Sequence, residues 1–184
     1  WRGDTEAVET GPEGEDLTLC DGFLKLMLAP GDPATLVDDP FALTTDNIRE
    51  ALQKLFLTLN PRVHSFHQRT GEGRIFLSPQ SDMLLRMAVG MDYVNNPLLR
   101  EEDGLLLFAG WPIVVSYGVP DDVLVMTHRR NLWVGSDLVN DVTALQIIDM
   151  QQSTGDRKLR FLGEFKIGVN YYRGDYIALF DGRA

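Results

Sequence analysis

Between Gly104 and Asp137 the chain reads GLLLFAGWPIVVSYGVPDDVLVMTHRRNLWVGSD, and this stretch constrains the fold more than any other. Short apolar runs at Leu105–Ala109, Ile113–Tyr117, Val123–Thr127 and Leu132–Val134 alternate with Gly110-Trp111-Pro112, with Gly118 to Asp122 and with His128-Arg129-Arg130-Asn131. β-Branched and aromatic residues bounded by Gly, Pro, Asp and Asn specify strands joined by tight turns. Polar residues fall at the turns and large apolar ones fill the runs. The stretch therefore predicts a scaffold sheet without a catalytic constellation.

Helical patterns precede it. Phe23, Leu24, Met27 and Leu28 have helical spacing after Gly22, which predicts a short helix from Asp21. Residues 30–43, with Pro30, Gly31, Pro33 and Pro40, read as a loop. Ile48, Leu52, Leu55, Phe56 and Leu59 form one apolar stripe, so a helix is expected over 47–60, with Asn47 and Glu50 as its capping box and Pro61 as its stop. Residues 62–73 then lead to a strand at Arg74–Leu77. Ser78 caps a second helix with Pro79 in its first turn and Leu84, Met87, Ala88 and Met91 on its buried face, ending near Tyr93.

After the sheet stretch, Ser136–Asp141 reads as a single helical turn. Strands are expected at Ala144–Asp149, Leu159–Val169 and Tyr176–Phe180, with turns at Gly155-Asp156 and Arg173-Gly174-Asp175 and a bend near Gly163 and Gly168. Helices crowd the first half and strands the second. The class is therefore α+β, with a central mixed or antiparallel sheet flanked by two main helices.

A length of 184 residues suits one domain, and a 44% hydrophobic share allows a buried core. Residues 1–16 read as a flexible acidic leader, and 17–184 as a single domain. The leader has six acids against Arg2, which gives it −5 of the net charge of −10. A chain this acidic is poorly suited to gripping phosphates, so no sequence-specific nucleic-acid binding is expected. No apolar run reaches the roughly 20 residues of a membrane span. The chain opens Trp1-Arg2-Gly3-Asp4, without a signal-peptide pattern or an initiator Met, and reads as an internal piece. The single Cys20 cannot form an intramolecular disulfide. It suits a reducing compartment and reads as a packing residue among Leu17, Leu19 and Phe23.

Candidate chemistry is sparse. His64 and His67 stand at H-x-x-H spacing and could share a metal ion, as in a metal-dependent hydrolase, but Pro61 has just ended the helix and no third ligand has diagnostic spacing. Asp137 and Asp141, with Asp121, Asp122 and Asp149, could bind a cation, yet all sit where Asp serves as a turn or cap residue. His128-Arg129-Arg130 is the one compact basic cluster and suits contact with a partner's carboxylates. Arg-Gly-Asp occurs at Arg2-Gly3-Asp4 and Arg173-Gly174-Asp175. The second copy, flanked by Tyr172 and Tyr176, reads as a hairpin turn in which Gly174 supplies positive φ. Phosphate-binding loops, dinucleotide fingerprints and nucleophile elbows do not occur in the sequence, so no cofactor is expected.

In order, the chain contains DNIREALQKLF, RIFLSPQSDMLLRMA, GWPIVVS, GVPDDVLVMTHRRNLWVGSDLVND, ALQIIDM and KIGVNYYRGDYIALF. This order resembles the later part of tailed-phage (or prophage) major capsid proteins of the Hong Kong 97-type fold, over about residues 20–181. Asp21-Gly22-Phe23-Leu24 resembles the segment that follows that family's long spine helix; the N-terminal arm and extended loop have no visible counterpart. The resemblance implies an axial domain with part of a peripheral domain, and a structural role rather than an enzymatic one. It implies identical subunits joined in pentamers and hexamers of an icosahedral shell around double-stranded DNA, with scaffold, portal and other virion proteins as further partners. The location implied is the virion, and the bacterial cytoplasm during assembly. An encapsulin-like shell subunit is the alternative within that fold. In either case the turns at Asp121-Asp122 and at His128, Arg129 and Arg130 are the expected subunit contacts.

Overall fold

The computed structural model describes residues 21–31, 33–91, 98–102, 104–136, 145–149, 159–163 and 167–183. Its helices are α1 (Phe23–Leu28), α2 (Ile48–Thr58), α3 (Pro61–Thr70) and α4 (Pro79–Met91). Its strands are β1 (Thr35–Leu36), β2 (Gly73–Leu77), β3 (Leu99–Glu102), β4 (Leu105–Phe108), β5 (Trp111–Val115), β6 (Val123–His128), β7 (Leu132–Ser136), β8 (Leu145–Asp149), β9 (Leu159–Gly163), β10 (Ile167–Tyr171) and β11 (Ala178–Asp181).

Strand β6 sits inside the main sheet, and all six of its residues are buried. A strand covered on both faces needs a continuous apolar run, which Val-Leu-Val-Met supplies. Around it the seven-stranded sheet is ordered β1-β11-β6-β2-β5-β4-β3. Pairs β1/β11 and β2/β5 are parallel, and the others are antiparallel. The sheet is therefore mixed, as expected. Its period of two sorts residues between two cores. Ile75, Leu77, Leu124, Met126, Ala178 and Phe180 point toward α2, α3 and α4. Val123, Val125 and Leu179 point the other way, where α1 brings Phe23, Leu24 and Met27.

Helix α2 buries the expected stripe through Ile48, Leu52 and Leu55. Its capping box does not form. Asn47 Oδ1 accepts instead from Thr44 N–H, Asn47 Nδ2 donates to the Ala42 carbonyl, and Glu50 pairs with Lys54. Pro61 ends α2 as predicted but also opens a helix that the sequence reading did not contain. Asn60 Oδ1 accepts the Arg62 N–H, Pro61 loses no helical bond at the first position, and Gly71 closes α3 in the left-handed region at φ 66°. With only Val63 and Phe66 as large apolar side chains, α3 shows almost no stripe in the sequence. In α4, Ser78 caps as expected by accepting the Ser81 N–H. The buried face matches the predicted one in part: Ala88 is buried and Leu84 packs against the core, whereas Ser81 and Leu85 complete the face and Met87 is half exposed.

Two further strands were absent from the sequence reading: β1, a two-residue strand in the Pro-rich loop, and β3, an edge strand of mostly charged residues. The predicted strand Leu159–Val169 divides into β9, which pairs with β8, and β10, which pairs with β7. Arg173-Gly174-Asp175 is not a hairpin. Gly174–Tyr176 is one 3-10 turn, Gly174 has no positive φ, and β10 and β11 pair with different strands. Cys20, Asp137, Asp141, the Gly155-Asp156 turn and the first Arg-Gly-Asp lie outside the described residues.

The β7/β10 ribbon is rooted where β6 leaves the sheet and β11 enters it. Fully buried Asn131 holds that root. Its Nδ2 donates to Thr127 Oγ1 and to the Arg173 carbonyl, and its Oδ1 accepts the Arg173 N–H. Thr127 Oγ1 in turn donates to the Tyr176 carbonyl. Removing this amide takes a partner from the Arg173 N–H, the Arg173 carbonyl and the buried Thr127 hydroxyl. Asn131→Ala is expected to lower the unfolding free energy by about 3 kcal/mol, as measured by urea denaturation.

Candidate functional site

Helix α3 turns one side toward the ribbon root, and the gap between them is a groove of about 590 Å³. Val63 and Phe66 form its floor on the helix side, and Trp133, Tyr172 and Tyr176 form it on the other. Arg62, Arg69 and Arg130 stand around it. Arg130 pairs with Glu72 at 2.7 Å, while Arg62 and Arg69 have no carboxylate partner among the described residues. Trp133 Nε1 donates to the Arg130 carbonyl, and its ring lies 6.0 Å from that of Tyr172, so this wall is pre-ordered.

His128 stands at the inner end of the groove, 9% exposed, between Phe66 at 4.9 Å and Tyr176 at 5.9 Å. Its Nδ1 is buried without a hydrogen-bond partner among the described residues. Burial holds the imidazole below its ordinary value of 6.5; the Glu72 carboxylate opposes that shift and Arg130 adds to it. The basic tripeptide is therefore divided in role. His128 is an inward strand residue, whereas Arg129 and Arg130 form an exposed 3-10 turn.

The acidic pair lies elsewhere. Asp121 and Asp122 precede β6 and His128 ends it, so the two groups are separated by the length of a six-residue strand, about 20 Å. Asp121 is exposed. Asp122, at φ 62°, accepts the Leu43 N–H at 2.7 Å on its side chain and the Gly182 N–H on its carbonyl, and so ties down two loops. The groove residues Arg62, Phe66, Arg69, Trp133 and Tyr172 were not in the sequence-based set. Their one signal was the Asn60-Pro61 helix start, which would have placed Arg62, Phe66 and Arg69 on one helical face.

His64 and His67 do lie on a helix, contrary to expectation, but they serve as packing groups. His64 Nε2 is 3.0 Å from the Phe56 carbonyl. His67 Nδ1 accepts the Gly73 N–H, which places the ring proton on Nε2, where it donates to the Gly110 carbonyl. The His67 ring stacks on Trp111 at 4.2 Å, and a Cβ on Gly73 would meet Trp111 at 2.3 Å, so glycine is required there. Among the described residues no three His, Cys, Asp or Glu side chains gather as a metal site. No helix among them is long and apolar enough to cross a membrane.

A second open surface, of about 820 Å³, runs along the β7/β10 ribbon, where Trp133, Val134 and Ile167 are exposed and Gly135 faces Gly168.

No family model matches the sequence, and no curated protein matches it. Solved structures do match. A chain of the satellite phage P4 procapsid, solved with its size determination (Sid) protein, superposes with a TM-score of 0.59 at 10% identity, covering 99% of this chain and 60% of the other. The fold is that of a phage capsid protein. Capsid chains of the empty and native GTA particles each give a TM-score of 0.54, at 12% and 13% identity, over 91% and 90% of this chain. The chain spans about 60% of the length of these structures. The mixed sheet with helices on its faces is thus a capsid-type α+β architecture, and the likeness extends from the helices through the ribbon.

Burial also holds His67 below the ordinary 6.5, with Arg74 and His64 adding to the shift and the Gly110 carbonyl opposing it. Both lowered imidazoles bind protons less readily folded than unfolded. Their contribution is therefore complete above the unfolded value and is lost as pH falls below it toward the folded values. Thermal midpoints should be flat above about pH 7 and decline as pH drops from about 6.5 to 5. His128→Phe, which keeps the ring contacts, should make that decline shallower in a differential scanning fluorimetry series.

Proposed function

We propose that this chain is the shell-forming part of a tailed-phage or prophage major capsid subunit of the Hong Kong 97-type fold. In this reading it joins copies of itself in pentamers and hexamers of an icosahedral shell around double-stranded DNA. The phage-capsid fold across nearly the whole chain is the observation that carries the reading. The arrangement of polar groups is consistent with it. Buried polar side chains such as Asn131 and Ser78 hold the backbone in place, and exposed apolar side chains on the ribbon, Trp133, Val134 and Ile167, offer area that a neighbouring subunit could cover. The net charge of −10 suits a wall that contains DNA without adhering to it. Further copies, scaffold and portal are then its partners, and its place is the virion after assembly in the host cytoplasm.

The test is expression of the full-length parent and inspection by electron microscopy. Closed shells are expected, and a soluble protein that forms no shells overturns the reading. Shells holding an enzyme cargo in place of DNA would replace it with the encapsulin-like one. Arg129 and Arg130 are the proposed contact residues at the ribbon root. Arg129→Glu with Arg130→Glu should keep the circular dichroism spectrum and lower the thermal midpoint by a few degrees, because the Arg130–Glu72 pair is lost, while shell yield falls at least about tenfold, as expected when like charges meet at an interface. Normal shells from that variant would remove these two residues from the interface.

A further inference from the structure

The groove beside α3 combines an apolar floor with two cations, Arg62 and Arg69, that have no carboxylate partner among the described residues. Phe66, Trp133 and Tyr172 supply the floor, and Arg62 and Arg69 the charge. His128, nine-tenths buried, lines the inner end of the same groove, and its Nδ1 has no hydrogen-bond partner among the described residues. In a chain of net charge −10, such a basic, aromatic recess finds its electrostatic complement on many surfaces, but few of them also offer apolar anchors.

One described surface does. The β3–β4 hairpin forms an edge of the main sheet, and around its turn Glu101 and Glu102 are exposed. Leu105, 53% exposed, is paired with Glu102 across the turn. Acids keep an edge strand from pairing indiscriminately, and an exposed leucine beside them gives it something to bury in a chosen partner. The hairpin cannot reach the groove of its own chain. His128 is level with Gly73 and Trp111 at one end of the sheet, whereas β4 runs from Leu105 at the far end to Phe108 at the near one. Between β6 and β3 lie β2, β5 and β4, a lateral distance of about 19 Å. The complementary surfaces therefore occupy opposite ends and different edges of one molecule. That is the arrangement for a head-to-tail contact, which closes into a ring when the rotation between copies permits.

We propose that the α3 groove receives the β3–β4 hairpin of a second copy of this chain. Glu101 and Glu102 meet Arg62 and Arg69, and Leu105 lies against Phe66 and Trp133. The inference rests on the self-association reading and specifies one of its contacts. The acidic residues 4–16 are the competing occupant. They match the charge but carry only Ala7 and Val8 for the apolar floor.

Reciprocal charge reversal in the full chain tests it. Arg62→Glu with Arg69→Glu makes a groove variant, and Glu101→Arg with Glu102→Arg makes a hairpin variant. Each alone brings like charges together and should weaken self-association at least about tenfold in sedimentation velocity, with an unchanged thermal midpoint. Mixed at equal concentration, each variant's hairpin suits the other's groove, so association should return to within about threefold of the wild type and be sensitive to salt. A third variant lacking residues 1–16 should associate normally. If the wild type associates and both reversed variants do so equally well, or the mixture fails to recover, the hairpin-in-groove contact is wrong while the capsid reading stands. If removal of residues 1–16 abolishes association and hairpin reversal does not, the groove belongs to the leader and the proposal falls. A wild-type parent that never associates removes both readings.

Discussion

The carboxamide of Asn131 binds two chain crossings to each other. At this point β6 leaves the main sheet for the ribbon, and a few residues away the ribbon returns to become β11. Both passages bring backbone groups into the interior, where unpaired donors and acceptors are costly. One side chain with a donor and an acceptor satisfies both the N–H and the carbonyl of Arg173, and Thr127 extends the same network to Tyr176. The α3 groove, the exposed arginine turn and the ribbon's apolar face all derive their positions from this knot. Aspartate could not serve as well, because the site needs N–H donors as well as an acceptor.

Around that knot, burial is partitioned by the pleat. Alternate residues of β2, β6 and β11 face two separate cores, one under α2, α3 and α4 and the other under α1. The opposite faces are thus held to one sheet without a shared side chain. The Asn131 network lies between them, at the end of the most deeply buried strand. Charge is kept to the periphery. Glu72 pairs with Arg130, Asp82 with Arg86 and Asp181 with Arg183, all at element ends or helix surfaces. Exposed pairs of this kind add little stability. Their placement matters more for association, where an uneven distribution of charge selects orientation.

Elements with a strong period were legible in advance. The stripe of α2 and the turn-bounded runs of β4, β5, β6 and β7 appear where spacing and composition placed them, because each segment's burial is written in its own residues. The misreadings share a physical cause. Helix α3 reads as a connection in the sequence because Pro61 has two meanings, stop and start, and the Asn60 side chain, which caps the new helix, decides between them. On α4 the burial of Ala88 is legible and that of Ser81 is not, because a small polar residue at a buried position carries no hydrophobic signal. The second Arg-Gly-Asp looks like a hairpin from its symmetric tyrosines, yet β10 and β11 belong to different sheets, and pairing across such distances leaves no local signature. The site was the least legible part. His128 and Arg130 were singled out, but the α3 residues that complete the groove lie some sixty positions earlier in the chain.

By itself the sequence determined the class, the central buried strand, the main helices, the acidic balance and the lack of familiar catalytic motifs. These follow from composition and short-range periodicity, which act before the chain is folded. The tertiary structure alone decided that β6 is flanked by β2 and β11, that Asp122 and His128 lie at opposite ends of one strand, and that α3 stands beside the ribbon root. Those facts depend on strand order and on long-range backbone hydrogen bonds. Such bonds are the same for every residue type, so no side chain in the sequence announces them.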